Sequence, residues 1–304
     1  MKNNLSILIP IYNDSCTALV AELQRQAARL GIDYEIIVAD DGSTDQTAID
    51  ENRSINDLPH CRYIERGFNS GRAAIRNFLT SASHGDWLLF IDGDMTVDSR
   101  DFLNRYLDNG CQEGVIDGGV CITGDCRILR GNLRFIYEKA AEEAHSADNR
   151  NANPYRDFHT ANFMAQRSVM LDHPFDLRFR RYGYEDVLFG KTLQRNGIPI
   201  THIDNPLSFE RFETNAAFVE KTEEGLRTLC RFREELRGYN RLLTAVGVMQ
   251  HIFLLMPLIR LFHRLFGRTV RRQLCSDRPS LRLFNLYRIA YYASLLTQRE
   301  KAST

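Results

Sequence analysis

Two carboxylates flank a glycine in Asp92-Gly93-Asp94, directly after the apolar run at residues 87–91. Oxygen ligands in this arrangement suit Mg²⁺ or Mn²⁺ when the ion is shared with substrate phosphates. Acidic turns also end many strands without binding anything, so the motif by itself leaves both interpretations open. Its position after a buried strand favours the metal site.

A second acidic turn, Asp40-Asp41-Gly42-Ser43, follows the apolar run at residues 35–39. Its carboxylates can accept hydrogen bonds from a nucleotide base or ribose. The same residue types also cap the start of a following helix. Both roles are compatible with one another.

Two arginines, Arg72 and Arg76, stand one helical turn apart in the segment at residues 69–77, which opens with glycine. Residues four apart share a helix face, and the N-terminus of a helix attracts anions. We therefore expect both side chains to face an anion near the start of this helix. The alternative is a pair of cations that only face solvent.

Glu185 and Asp186 precede the amphipathic segment at residues 187–195. Carboxylates at a helix start are favoured by the helix dipole. One of them can also serve as a general base that removes a proton from a hydroxyl nucleophile. Tyr182 and Tyr184, just before them, can stack on a sugar ring or simply pack in the core.

Short apolar runs alternate with helical patterns through the first part of the chain, which predicts a mostly parallel α/β sheet flanked by helices. We expect strands at residues 5–9, 35–39, 62–65 and 87–91, with helices at 17–30 and 71–82. Ligands of such sheets bind beyond the carboxyl ends of the strands. Both acidic turns fall at that edge.

Beyond residue 115 the alternation loosens. The sequence predicts a strand near residues 115–122, a helix near 133–145, and a polar, mobile loop at 149–154.

Composition excludes several classes of protein. Of 304 residues, 43% are hydrophobic and 26% charged, enough apolar content to exclude wholesale disorder. Lys+Arg and Asp+Glu both number 39, which argues against a dedicated nucleic-acid binder. The seven cysteines are odd in number and contain no CxxC pair, so neither a disulfide framework nor a zinc site is indicated. With no signal-peptide pattern at the N-terminus, these features favour a reducing cytoplasm.

The neutral total conceals a basic tail. From Arg241 onward there are eleven Lys/Arg against two acids, a net charge of +9, which leaves −9 for the first 240 residues. The run at residues 242–259 is mostly apolar, contains Pro257 near its end and is followed by several arginines. A spanning helix needs about 20 apolar residues, so an interfacial helix at an anionic membrane surface fits better. A core or dimer-interface helix is the alternative.

Taken together, these segments resemble the family 2 glycosyltransferases, the inverting enzymes of the GT-A fold. The matching pieces occur in the family's order and cover roughly residues 3–225. They are Ser6-Ile7-Leu8-Ile9-Pro10-Ile11-Tyr12-Asn13 and the segments at 35–45, 69–77, 87–94 and 183–190.

The resemblance implies a role for each matching residue. It implies that the nucleotide is bound by Pro10, Tyr12, Asn13, Asp40, Asp41, Arg72 and Asp92. Asp94, with Asp92, would hold Mn²⁺ or Mg²⁺. Asp186 would be the catalytic base, with Glu185 beside it.

One departure concerns the metal. Related sequences often place a histidine where this chain has Phe209. His202 and Glu210 are the candidates to replace it. His159 and Asn162, in the segment where the family contacts its acceptor, are further candidates for a sugar contact, as are Tyr184 and His202.

We therefore expect a GT-A domain at residues 1–225, with a nucleotide-sugar-binding half at 1–114 and an acceptor-binding half at 115–225, and a helical basic and apolar region at 226–304. The expected reaction moves a sugar from a nucleotide diphosphate sugar, with a UDP-sugar the favoured donor, to a hydroxyl of a saccharide or lipid-linked saccharide, as in polysaccharide biosynthesis. The alternative is a catalytically silent nucleotide-sugar-binding scaffold or partner subunit. The expected location is the cytoplasm, including the inner face of the membrane. The sequence does not decide whether the protein forms a homo-oligomer.

Overall fold

The computed structural model describes residues 4–108 and 113–302, and the side chains up to residue 297; Cys111 lies outside this part. In chain order the strands are β1 (Asn4–Ile11), β2 (Asp33–Asp40), β3 (Cys61–Glu65), β4 (Trp87–Ile91), β5 (Met95–Thr96), β6 (Val115–Asp117), β7 (Val120–Ile122), β8 (Asn162–Gln166), β9 (Ile200–His202) and β10 (Leu207–Phe209). The helices are α1 (Thr17–Leu30), α2 (Gln46–Arg53), α3 (Arg72–Ala82), α4 (Phe102–Leu107), α5 (Leu133–Ala141), α6 (Ala147–Ala152), α7 (Arg167–Asp172), α8 (Glu185–Arg195), α9 (Asn215–Arg231), α10 (Arg241–Gln250), α11 (Leu255–Leu274) and α12 (Leu281–Ala302).

The main sheet has seven strands within the described residues, in the order β3-β2-β1-β4-β8-β6-β9. The first four are mutually parallel, while β8 runs antiparallel to both β4 and β6. The predicted mostly parallel α/β sheet is thus confirmed. Ile11 pairs with Asp40, and Leu8 pairs with Phe90. The carboxyl ends of β1, β2 and β4 therefore meet at one edge, where the two acidic turns emerge.

Local sequence features determine where α1 ends and where α2 begins. α1 ends at Gly31, whose left-handed backbone (φ 63°) lets its N–H bond to the Ala28 carbonyl. α2 begins after Asp45, whose side chain accepts hydrogen bonds from the N–H groups of Thr47 and Ala48. Both ends follow the sequence prediction.

The strand expected at 115–122 is two strands in different sheets. β6 belongs to the main sheet, whereas β7 pairs with β10 in a small three-stranded sheet. Gly118 and Gly119 separate them. Gly119 has φ 82°, and a Cβ there would lie 2.5 Å from the Arg150 guanidinium. The chain therefore turns out of the first sheet at these glycines.

Stacked aromatic rings anchor α8 to the sheet. Phe90 of β4 stacks on Phe163 of β8 with centroids 4.8 Å apart. Phe189 of α8 stacks on Phe175 at 4.4 Å, and both belong to the same buried cluster as the β4 and β8 rings. Such packing holds the start of α8, with Glu185 and Asp186, in a fixed place.

The polar segment at 149–154 was expected to be a mobile loop, and that expectation is wrong for most of it. Residues 147–152 form α6, capped by the Ser146 hydroxyl, which accepts from the Asn149 N–H. Arg150 is buried and its Nη1 lies 2.7 Å from Asp117 Oδ1. A buried guanidinium requires such partners, and they fix the segment to β6.

The chain divides into two compact units that interleave along the sequence. The first contains residues up to Thr123 with Glu143–Arg180 and Glu185–Glu210; the second contains Gly124–Glu142, Arg181–Tyr184 and the chain from Arg211 onward. The sequence-based division is instead a single cut at residue 225, and it stays a prediction.

The second unit is helical around its own core. Leu133 of α5, Phe218 of α9, Val270 of α11 and Phe284 of α12 pack together in one buried cluster. Glu223 of α9 lies within this unit and accepts hydrogen bonds from Arg271 Nε (2.9 Å) and the Tyr287 hydroxyl (2.7 Å). These bonds tie the last two helices to α9.

The apolar run expected as one interfacial helix at 242–259 is divided between α10 and α11. Leu254, just before α11, adopts a left-handed backbone with φ 64°. Pro257 lies in the first turn of α11, which is where a helix accommodates proline. Of the described helices none is by itself long and apolar enough to cross a bilayer; α10 and α11 meet that criterion only as a pair, bent by 115°.

Candidate active site

Asn13 joins the end of β1 to the first acidic turn. Its side-chain oxygen accepts from the N–H groups of Thr44 (2.7 Å) and Asp45 (3.0 Å), and its own N–H donates to the Ser43 hydroxyl. These bonds hold the residue at φ 53°, a sparsely populated conformation for a residue other than glycine. Tyr12 beside it is 49% exposed, so its ring is available to a ligand. Pro10, half-buried in β1, lies at the same edge.

Asp40 is buried and only partly used by the fold. One carboxylate oxygen accepts from the Ser43 N–H and the other from the Tyr63 hydroxyl, each at 2.7 Å. Burial, reinforced by the bond to Asp40, raises the pKa of Tyr63 well above its usual value, so the phenol stays a donor. A carboxylate has about four acceptor positions. Asp40 therefore keeps about half of its acceptor capacity.

Asp41, by contrast, is fully used. Its Oδ1 accepts from the Ser70 N–H (3.0 Å), the Ser70 hydroxyl (2.6 Å) and Arg66 Nη1 (3.0 Å), and its Oδ2 accepts from the Gly71 N–H (2.8 Å). Four donors are about as many as a carboxylate accepts. The structure thus makes Asp41 the residue that sets the loop leading into α3, and its contact with the nucleotide stays a prediction.

Gly71 ends that loop and starts α3. Its φ is 90°, and a Cβ would lie 3.0 Å from the Arg180 carbonyl oxygen. A side chain at this position is therefore strained by conformation and by space together. The Asp41 bonds and this glycine fix the position of Arg72.

The two arginines of α3 differ, contrary to the expectation that both face a bound anion. Arg76 is buried, with 1% of its side chain exposed, and its Nη2 lies 2.5 Å from Asp92 Oδ1. Arg72 has 45% of its side chain exposed, and its Nη1 lies 3.9 Å from Glu185 Oε1. Arg72 alone is therefore accessible to an incoming anion, while Arg76 is committed to Asp92.

Glu185 is a buried carboxyl group at the start of α8. Its Oε2 has no hydrogen-bond partner among the described residues. Burial raises the pKa of Glu185, the neighbouring charge of Asp186 raises it further, and Arg72 and Arg76 oppose the shift. Asp186 is less buried, and its Oδ1 accepts from the Val187 N–H at 2.7 Å. The two adjacent carboxyl groups thus occupy different environments.

Strained backbone leads into this pair. Gly183 has φ 102° and Tyr184 has φ 70°. Positive φ at a bulky residue costs of the order of 1 to 3 kcal/mol and is concentrated at functional sites. Tyr184 is half-buried, and its contact with a sugar stays a prediction.

Two of the predicted sugar contacts are occupied by the fold instead. Asn162 is buried, accepts from the Tyr106 hydroxyl at 2.7 Å, and donates to the carbonyls of Gly119 and Asn205. A carboxamide with these partners holds the turn after β6 in place and has no donor left for a sugar.

His202 is likewise enclosed. Its Nδ1 lies 2.9 Å from Arg150 Nη1 and its Nε2 lies 2.9 Å from the Pro154 carbonyl oxygen. Burial lowers the pKa of His202 despite the nearby Asp117 carboxylate, which favours the neutral ring. With both nitrogens engaged, His202 is available neither as a metal ligand nor as a sugar contact.

His159 is the one exposed member of this group of candidates. Its backbone N–H donates to Asp117 Oδ2 at 3.1 Å, and its ring lies on the surface with its centroid 5.5 Å from that of His145. Its predicted contact with donor or acceptor stays open.

The residues fit a divalent ion that is shared with substrate. No group of three or more His, Cys, Asp or Glu side chains that could hold a metal is found in the part of the chain that the structure describes. Phe209, at the position of the third family ligand, is a buried residue of β10, and Glu210 after it is exposed. Mg²⁺ is commonly held by one or two carboxylates with phosphate oxygens of the substrate. Asp92 and Asp94 supply such a set.

The sequence did not reveal the Arg76–Asp92 pair or the Asp117–Arg150–His202 network. Asp117 and Arg150 are 33 positions apart, so no local pattern connects them. The one local signal for α6 was the Ser146 cap with Asn149 three residues later.

Acidic turns at the carboxyl edge of a mostly parallel sheet, with arginines and a carboxyl pair beside them, are the arrangement of a nucleotide-binding α/β enzyme. The chain belongs to glycosyl transferase family 2, whose sequence model matches residues 6–181. It is a glycosyltransferase.

Individual relatives match over shorter stretches. The chain is 35% identical over 105 residues to a poly(ribitol-phosphate) beta-glucosyltransferase of Bacillus spizizenii, which covers 34% of this chain and 16% of the relative. It is 33% identical over 96 residues to an undecaprenyl-phosphate 4-deoxy-4-formamido-L-arabinose transferase of Pseudomonas fluorescens, covering 30% and 28%. The chain thus spans well under two thirds of the length of these relatives.

Similar solved structures share the fold over nearly the whole chain. S. aureus TarS in complex with UDP-GlcNAc superposes with a TM-score of 0.51 at 15% identity, covering 98% of this chain and 92% of that one. The mannosyltransferase PcManGT of Pyrobaculum calidifontis, in complex with GDP-Man and Mn²⁺, gives a TM-score of 0.50 at 13% identity, covering 97% and 88%.

Proposed function

We propose that this chain transfers a sugar from a nucleotide diphosphate sugar, with a UDP-sugar as the favoured donor, to a hydroxyl of a saccharide or lipid-linked saccharide, with inversion at the anomeric carbon. The observation that carries the proposal is the charge cluster formed by Asp92, Arg76, Arg72 and Glu185 at the carboxyl edge of the sheet. Burying such charged groups has a desolvation cost, and clusters of this kind are concentrated at functional sites.

Three features of the sheet edge would recognise the donor. Tyr12 offers an exposed ring for a base, Asp40 retains acceptor positions for a base or ribose, and Arg72 offers an exposed guanidinium for the diphosphate. Both similar structures contain nucleotide diphosphate sugars, which supports this class of donor.

Asp92 and Asp94 would hold Mg²⁺ or Mn²⁺ together with diphosphate oxygens. When bound, the ion neutralises charge on the departing diphosphate. Arg76 fixes the orientation of Asp92 through their ion pair. The Mn²⁺ in the structure of the mannosyltransferase PcManGT supports this assignment.

Asp186 would accept the proton of the acceptor hydroxyl. As that oxygen attacks the anomeric carbon from the face opposite the diphosphate, the bond from this carbon to the diphosphate oxygen breaks. The products are the inverted glycoside and the nucleoside diphosphate, and the proton remains on Asp186. Glu185, whose raised pKa favours its neutral form, limits the negative charge beside this base.

The test is hydrolysis and transfer across a panel of UDP-, GDP- and dTDP-sugars with Mn²⁺ or Mg²⁺ and with soluble and lipid-linked acceptors. Wild type is compared with Asp94→Ala, Asp186→Asn and the exposed control Asp172→Asn. The expected result is metal-dependent turnover of one donor, lost in the first two variants and kept in the control. Donor binding without turnover under every condition would favour the silent scaffold instead.

A further inference from the structure

Large apolar side chains point outward at the break between α10 and α11 in the second unit. Phe253 is 89% exposed, and exposed leucines continue from it along α11. We call this set the apolar ridge; its members are Ile252, Phe253, Leu254, Leu258, Leu261 and Leu265. Exposed apolar patches of this kind mark interaction surfaces.

Three members of the ridge, Leu258, Leu261 and Leu265, lie on the outer face of α11, whose inner face is well packed. Met256, Gly267, Val270 and Leu274 of α11 are buried, and Val270 and Leu274 belong to the core of the second unit. The exposure of these three leucines is therefore a property of a folded amphipathic helix.

Arginines follow the leucines along the same strip of α11. At 100° per residue, Arg268 and Arg272 fall within about 60° of Leu261 and Leu265 on the helix surface. Arg264, Arg268 and Arg272 are all exposed or partly exposed. Residues 236–276 contain seven arginines and neither Asp nor Glu. The surface is thus apolar at its start and purely basic at its end.

We propose that the apolar ridge and these arginines form a docking surface for a bilayer that carries anionic headgroups. The ridge would lie at the boundary of headgroups and acyl chains, with the arginines at the phosphates. A second copy of the chain is disfavoured as the occupant, because a two-fold contact brings the same surface together twice, and residues 236–276 contain no Asp or Glu to pair with the arginines of the partner copy. This surface is separate from the proposed transfer site and does not depend on it.

A fluorescent reporter gives the first test. Trp87, the single tryptophan, is buried in β4. Phe253→Trp therefore adds one exposed indole, and the wild-type spectrum supplies the background emission of Trp87. Phosphatidylglycerol vesicles are expected to shift its emission to the blue, with the shift reduced by salt. Phosphatidylcholine vesicles are expected to produce little shift. An unchanged spectrum with the anionic vesicles, or equal shifts with both, overturns the proposal.

Vesicle flotation of the full chain gives the second test. Leu258→Ser/Leu261→Ser and Arg264→Glu/Arg268→Glu are each expected to lower the partition coefficient on phosphatidylglycerol vesicles at least about tenfold. Leu171→Ser/Arg100→Glu, exposed positions of the first unit, is the matched control and should stay within about twofold. Circular dichroism checks that all variants are folded. Wild-type binding by folded ridge variants overturns the proposal. So does a wild-type dimer that becomes monomeric in the leucine variant without vesicle binding by either.

Discussion

Two acidic regions lie at one edge of the sheet, yet the fold uses them in opposite ways. Asp41 accepts four hydrogen bonds from its own chain. Glu185 has an oxygen with no partner among the described residues. Both are buried carboxylates next to arginine, so residue type and burial alone do not separate them. The number of hydrogen-bond donors that each carboxylate receives separates them: Asp41 holds the local structure, and Glu185 keeps an oxygen that the described fold does not use.

The largest expected effect tests the carboxyl pair of Glu185 and Asp186, the side of the comparison that is proposed to react. Asp186→Asn removes the proposed base while keeping the size of the side chain, and turnover should fall by about 10² to 10⁴-fold. Donor affinity and thermal stability should stay close to wild type. Initial rates, donor titration and a thermal melt measure the three quantities. Unchanged turnover would make Asp186 a residue of the helix start only, and the base would have to be sought elsewhere.

The next largest effect is a loss of stability when Asp41, the structural carboxylate, is changed. Asp41→Asn replaces a fully bonded carboxylate and leaves Arg66 without its charge partner, so we expect about 3 kcal/mol less stability. This corresponds to a melting temperature lower by roughly 6 to 12 °C. Asp50→Asn, at an exposed ion pair, is the control and should change stability by less than about 0.5 kcal/mol. A stable Asp41→Asn protein that no longer binds donor would reverse the comparison.

A smaller effect is expected on the binding of the nucleotide-sugar donor. Tyr12→Ala removes an exposed ring that the fold does not need, and base stacking is worth about 1 to 3 kcal/mol per base. We expect donor to bind about five- to a hundredfold more weakly, with the melting temperature unchanged. Calorimetric titration with nucleoside diphosphate measures this. Equal affinity in the variant would place the base elsewhere on the sheet edge.

The smallest effect is a pH dependence. Because the pKa of Glu185 is raised in the folded protein, its contribution to stability is fully present below its unfolded pKa and is lost as pH rises through the folded value. The carboxamide in the Glu185→Gln variant does not titrate. The stability of this variant relative to wild type should therefore increase as the pH rises above the ordinary pKa of a glutamate and through the raised pKa of Glu185. Urea unfolding at stepped pH measures it, and a difference that is constant with pH would contradict the raised pKa.

Sequence was enough for the elements but not for the assignments within the site. Alternating strands and helices, the glycine after α1 and the carboxylates after β2 and β4 are local patterns, and each predicted its element. Arg72 and Arg76 are the same residue type on the same face of α3, so the sequence does not distinguish them. Only the packing of α3 on the sheet decides which one is buried. Asn162 and His202 resembled residues that contact a ligand, because the side chains and carbonyls that they bond inside the protein lie in distant segments and are not apparent from the sequence.

The same limit explains the error at α6. Its composition is that of a loop, and what orders it is the buried pair of Arg150 with Asp117 on β6. A pair that forms across the fold leaves no periodicity in the chain.

The shared core of the second unit has a practical consequence for anyone who shortens this protein. Leu133 and Phe218 pack against Val270 and Phe284, which lie on the last two helices. A fragment that stops at residue 225 keeps the first two side chains and loses their partners. We expect such a fragment to aggregate during expression, so the intact C-terminal helices are the better starting point for purification and crystallisation.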